Sequence, residues 1–128
     1  MTFGSSSGPD ASTELALVAA RAADDKQGTN TIVLEVGQVL TITEMFVITG
    51  AANRRLVRAI ADGIEERVRE ECGRSPSRTE GHREQQWVLL DYGDVVVHVF
   101  LDEMRQFYEI ERLYKDAPRV DWPGTVSD

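Results

Sequence analysis

The chain has 128 residues, 41% of them hydrophobic, enough for one domain with its own core. Its net charge of −8 makes it a poor ligand for DNA or RNA, whose affinity for proteins rests on phosphate neutralisation, and a better one for a basic protein. The single cysteine, Cys72, excludes an internal disulfide and a multi-cysteine zinc site, and no apolar run approaches membrane-spanning length.

Residues 1–11 open with a Ser/Gly stretch too poor in apolar groups to order itself, and are read as a disordered tail. The first twenty residues contain no Lys or Arg, so neither a secretory signal nor a transit peptide is visible and a cytoplasmic location is expected. From Ser12 to Gln27 the positions Leu15, Val18, Ala19, Ala22 and Ala23 recur at helical spacing. Ser12 is placed to cap this helix and Gly28 to end it.

Thr31–Val36 and Met45–Thr49 read as neighbouring strands joined by a turn at Gly37 and Gln38. The longest helical stripe follows in Leu56, Val57, Ile60, Ile64, Val68 and Cys72, with Asn53 as N-cap and Gly73 and Pro76 marking the end. Arg74–Gln85 is a polar connection with room for a short edge strand near Thr79–His82. Its Arg74, Arg78 and Arg83 allow at most a minor contact with RNA phosphates.

Trp87–Leu90 and Val95–Phe100 are β-branched and aromatic-rich runs separated by Asp91-Tyr92-Gly93-Asp94, which reads as a β-hairpin. Pairing Leu90 with Val95 puts Val88, Leu90, Val95, Val97 and Val99 on one aliphatic face suited to helices. The other face is mixed: Trp87 beside His98, Leu89 beside Val96, and Phe100 at one end. Asp91, Tyr92 and Asp94 lie at the turn end. Aromatic bodies with polar tips suit an interface, so Trp87, Leu89, Asp91, Tyr92, Asp94, Val96, His98 and Phe100 are the expected partner-binding residues.

After the hairpin, Asp102 is placed to cap a last helix burying Met104, Phe107, Ile110, Leu113 and Tyr114. Residues 116–128, with two prolines and little periodicity, are read as a flexible tail, leaving 12–115 as the domain. The element order predicts an α/β (α+β) fold, a mixed β-sheet with helices mainly on one face.

Metal-dependent nucleotidyl transfer requires a Gly-Ser turn followed by paired carboxylates, and neither stands in the expected place. Asp94 and His98 are four residues apart on one strand, about 13 Å, too far to share an ion with Asp91. No catalytic residue, metal or cofactor is expected.

Several separated motifs in a fixed order, Met45-Phe46-Val47-Ile48-Thr49-Gly50, Arg55, Ala59-Ile60-Ala61-Asp62, Glu80-Gly81, the run Trp87 to Phe100, then Arg105, Phe107-Tyr108 and Glu111-Arg112-Leu113-Tyr114, resemble the Iojap, or ribosomal silencing factor, family. Ala51 stands as one surplus residue before the second helix, and Tyr114 where the family pattern more often has tryptophan. The resemblance implies a nucleotidyltransferase-like fold without catalysis and a homodimer when free. It also implies docking on ribosomal protein L-fourteen of the large ribosomal subunit, which blocks the small subunit and lowers translation when nutrients are short. An autonomous dimerisation module is the competing expectation.

Overall fold

The computed structural model describes residues 9–124. Five strands form one mixed sheet in the order β1-β2-β5-β4-β3: β1 (Thr29–Glu35), β2 (Met45–Ala51), β3 (Arg78–Glu80), β4 (Trp87–Asp91) and β5 (Val95–Leu101). β2 and β5 run parallel and the other pairings are antiparallel. The parallel pair requires a crossover, and α2 (Arg54–Cys72) supplies it.

α1 (Pro9–Asp25) and α2 lie side by side over one face of the sheet. Their apolar stripes close on Val33, Val47, Val88, Leu90, Val95, Val97 and Val99, all buried. Each such side chain contributes about 1.5–3 kcal/mol through burial. The expected caps of α2 are both present: the Asn53 side chain accepts from the Leu56 N–H at 2.8 Å, and Gly73, at φ 68°, ends the helix with its N–H on the Arg69 carbonyl. α1 begins three residues before Ser12. The Ser12 hydroxyl lies inside the helix and donates to the Asp94 carboxylate at 2.7 Å, joining α1 to the hairpin turn instead of capping.

The opposite face is covered only in part. Its buried residues are Ile32, Leu34, Val36, Phe46, Ile48, Phe100, Ile110 and Ala117. The single last helix expected from Asp102 is two pieces, α3 (Asp102–Tyr108) and α4 (Ile110–Leu113), broken at Glu109 in the left-handed region. The break rotates Phe107 and Leu113 into solvent, 75% and 74% exposed, and leaves Ile110 as the buried anchor. Asp102 accepts from the Thr29 hydroxyl at 3.0 Å rather than capping the helix, which has no side-chain cap.

The C-terminal segment also departs from expectation. The Pro118 carbonyl accepts from Glu35 N–H at 2.8 Å, Val120 N–H donates to Val33 at 2.9 Å, and Arg119 bridges Leu34. Buried Trp122 donates its indole N–H to the Thr31 carbonyl at 3.3 Å. The segment expected to be a flexible tail from residue 116 therefore pairs with β1, satisfying backbone groups of an otherwise open sheet edge. The disordered tail expected over residues 1–11 falls mostly outside the described residues, although α1 already includes Pro9–Ala11.

Candidate functional surface

The hairpin register differs from the one the sequence implies. Asp91 pairs with Val96, Leu90 with Val97, Leu89 with His98, Val88 with Val99 and Trp87 with Phe100. Gly93 takes φ 92°, and its N–H is held by the Asp91 carboxylate at 2.8 Å, so the turn closes as an Asx turn with Tyr92 N–H on Val95. The slip from the expected Leu90–Val95 pairing is two residues. An even slip leaves every strand residue on its assigned face, because side chains alternate with period two.

On the mixed face Trp87 is the centre of an aromatic cluster. Its ring stacks on Phe100 with centroids 4.7 Å apart, and Tyr108 of α3 leans on it at 5.0 Å. Its indole N–H donates to His98 Nδ1 at 3.1 Å. His98 is 5% exposed and enclosed by Phe46 at 4.6 Å, Trp87 and Phe100. Burial lowers its pKa to about 4, so the ring is neutral at pH 7. With Nδ1 accepting, Nε2 carries the proton, and that buried N–H has no hydrogen-bond partner among the described residues.

The eight expected residues are not brought together as one exposed patch. Trp87, Leu89 and Val96 are half-buried on the mixed face. His98 and Phe100 lie beneath them as support. Asp91 sits at the turn end with Arg78 at 3.6 Å. Tyr92 is the clearest correction: it follows the parity of the aliphatic face, is 4% exposed under the helices, and burial raises the pKa of its hydroxyl.

Asp94 is drawn the same way, toward α1 and the end of α2. Burial works against its charge, but hydrogen bonds from Arg74 at 2.7 and 3.1 Å and from Ser12 outweigh that and hold its pKa below the ordinary carboxylate value. Arg74 also donates to the Tyr92 carbonyl at 2.7 Å, and Arg78 reaches Glu80 and Asp91. Of the three arginines considered for phosphate contact, two are engaged in these ion pairs. Asp91, Asp94 and His98 do not converge on a common point: Asp94 faces the helices and His98 is enclosed on the other side of the sheet. The described residues that do offer three ligand atoms within 4.8 Å of one another are Asp62 and Glu65 of α2 with His82 of the β3–β4 connection.

Phe107 and Tyr108 extend the surface; sequence periodicity had placed Phe107 and Leu113 inside, and both are exposed. Phe107 meets Tyr108 edge-on at 5.0 Å, so aromatic surface runs from α3 onto Trp87 without interruption.

The chain matches the family model described as "Ribosomal silencing factor during starvation" over residues 9–128. Ribosomal silencing factor RsfS of Halalkalibacterium halodurans is 38% identical over 114 residues, spanning 89% of this chain and 97% of the relative. Protein Iojap, chloroplastic, of Zea mays is 32% identical over 104 residues, 81% of this chain and 45% of the relative. A crystal structure of a Chromobacterium violaceum protein superposes with a TM-score of 0.76 at 29% identity, covering 91% of this chain and 92% of the other. One of a Bacillus halodurans protein gives 0.73 at 34% identity, covering 86% and 99%. On the strength of a match that spans all but the first eight residues, and of a mixed sheet shared with these solved structures, the chain belongs to the ribosomal silencing factor family.

Proposed function

We propose that this protein is a cytoplasmic ribosome silencing factor. It docks on ribosomal protein L-fourteen of the large subunit, keeps the small subunit from joining and lowers translation when nutrients are short. The observation that carries this reading is the family match across residues 9–128, and two relatives bear the name ribosomal silencing factor. The surface in the docking role is Trp87, Leu89 and Val96, with Tyr108 and Phe107 of α3 beside them and His98 and Phe100 as their rigid backing. Aromatic anchors on a packed support are the usual source of binding energy at an interface. The net charge of −8 favours encounter with a basic ribosomal protein. We assign no catalytic role, because the acidic and imidazole groups of the hairpin are committed to ion pairs and to a buried hydrogen bond.

Sucrose-gradient sedimentation of cell lysate tests the reading. Co-migration with the large subunit, lost on mutation of Trp87, is the expected result. Absence of the protein from ribosomal fractions under both rich and starved growth would replace silencing with the autonomous dimerisation module. That alternative draws on the same surface, since an aromatic patch can serve self-association alone.

A further inference from the structure

A second site lies at the other end of the sheet from the hairpin turn. The left-handed Glu109 turns the chain back over β1, and the fold of α3, α4 and residues 114–119 against that strand encloses a recess of about 870 Å³. Its floor is apolar, with Ile32, Leu34 and Ala117 buried and Tyr114 half-buried against Phe46 at 5.2 Å. Asn30 and Gln106 are among the residues of its wall.

The charges around this recess are sorted. Arg105, only 10% exposed, is committed to the carbonyls of Thr29 at 2.9 Å and Asn30 at 2.7 Å and to the Glu111 carboxylate at 3.1 Å. Asp102 takes the Thr29 hydroxyl, and Glu109 takes Arg112 at 2.8 Å. Every carboxylate lining the recess is thus engaged, while Lys115 and Arg119 on its rim have no ion pair or side-chain hydrogen bond among the described residues. The lining thus carries four cations, Arg105, Arg112, Lys115 and Arg119, against three carboxylates, a local excess of one positive charge in a chain of net charge −8.

Among the described residues, Asn30 at φ 46° and Glu109 at φ 48° take left-handed conformations, and both line this recess and shape its wall.

We propose that the recess between β1, α3 and residues 109–119 binds a nucleoside phosphate, with the base on the Ile32–Leu34–Tyr114 floor and the phosphates at Lys115 and Arg119. Its volume lies within the range of small-molecule sites. The amides of Asn30 and Gln106 supply donors and acceptors for a base edge. Arg105 is a positioning residue that fixes β1 against α4 and so shapes the cavity. This site is separate from the Trp87 surface, so its failure would leave the silencing proposal untouched.

The test is titration of the ¹⁵N-labelled full chain with GTP and, in parallel, with sodium triphosphate, read by amide chemical shifts. GTP should give saturable shifts confined to residues 29–34 and 102–119, half-complete below about 1 mM. Sodium triphosphate should bind at least about tenfold more weakly, because it leaves the apolar floor wet. The double variant Lys115→Glu/Arg119→Glu, at side chains the fold does not use, should keep its spectrum and lose GTP affinity by about tenfold or more. Lys115→Gln/Arg119→Gln replaces it if charge reversal disturbs folding. No saturable response, a response centred elsewhere, or unchanged binding by a folded double variant would overturn the site. Equal affinity for triphosphate and GTP would overturn the nucleoside assignment.

Discussion

The indole N–H of Trp87 donates to Nδ1 of His98 at 3.1 Å, across neighbouring antiparallel strands and from a half-buried ring to an enclosed one. This bond fixes two things together. It sets the tautomer of His98, and it holds the Trp87 ring in one orientation against Phe100 and Tyr108. A preorganised aromatic side chain loses less entropy on docking than a free one.

Trp87→Ala should therefore cost partner affinity more than it costs folding. Truncation of a central aromatic anchor removes roughly 2–4 kcal/mol of binding. The sheet beneath it, with Phe100 and Ile48 fully buried, remains. Titration calorimetry with purified ribosomal protein L-fourteen, alongside circular dichroism of the variant, measures both. Unchanged affinity in a folded variant would remove Trp87 from the interface.

His98 makes stability depend on pH in a defined window. Its pKa is lowered by burial from 6.5 to about 4, so as pH falls below 6.5 the unfolded chain takes up a proton that the folded chain refuses. The lost stability grows between those two values and levels off below the lower one, reaching about 3 kcal/mol at most. Asp94 acts lower down: its depressed pKa gives stability that is present above the ordinary carboxylate value and lost as pH falls through the folded one. Urea midpoints at pH 7.5 and 5.0 should differ for the native chain and differ much less for His98→Phe. The same difference in both proteins would mean that another group titrates.

Much of this arrangement was legible in the sequence, and the limits have physical causes. The assignment of Val88, Leu90, Val95, Val97 and Val99 to the helix-covered face survived the two-residue error in register, because facing depends only on parity. Parity also explains Tyr92, which had been grouped with the mixed face by its place in the turn and is instead carried inside by its strand. The helix break at Glu109 has no glycine or proline to announce it. It follows from tertiary packing, since Ile110 and Tyr114 reach the sheet only if the chain turns there. The pairing of residues 118–120 with β1 was equally hidden, because a segment that docks by backbone hydrogen bonds needs no periodicity.

Glu109→Gly tests the cost of that break. A left-handed conformation penalises a side chain by about 1 kcal/mol and glycine not at all, while the exposed Glu109–Arg112 pair it removes contributes little. Thermal unfolding should show a rise of a few degrees. A fall would show that the Glu109 side chain holds α4 in place.

Association should also depend on salt, although not through the two hairpin carboxylates. Asp91 and Asp94 are neutralised locally by Arg78 and Arg74, so steering must come from the charge of the chain as a whole. Stopped-flow association rates with L-fourteen should fall between low and high ionic strength for the native chain and nearly as steeply for Asp91→Asn. Flat rates would confine the acidic balance to solubility.

The proposed docking surface is also suited to self-association. Phe107 stands 75% exposed beside Tyr108, which leans on Trp87, and soluble proteins rarely leave such a run uncovered. A second copy would cover it in the free protein, and the ribosomal partner would take its place. If the two contacts share this surface, the partner must displace the second copy, and its apparent affinity weakens as the concentration of the silencing factor rises. Phe107→Ser should then shift the free protein toward monomer while leaving the core intact, since the residue it replaces is already in solvent. Light scattering across a titration with L-fourteen distinguishes the cases. A one-to-one complex replacing the dimer is the expected outcome, with Phe107→Ser weakening the dimer. A lasting assembly of two silencing factors and two partner molecules would place the contacts on separate faces and leave Phe107 with no part in the competition.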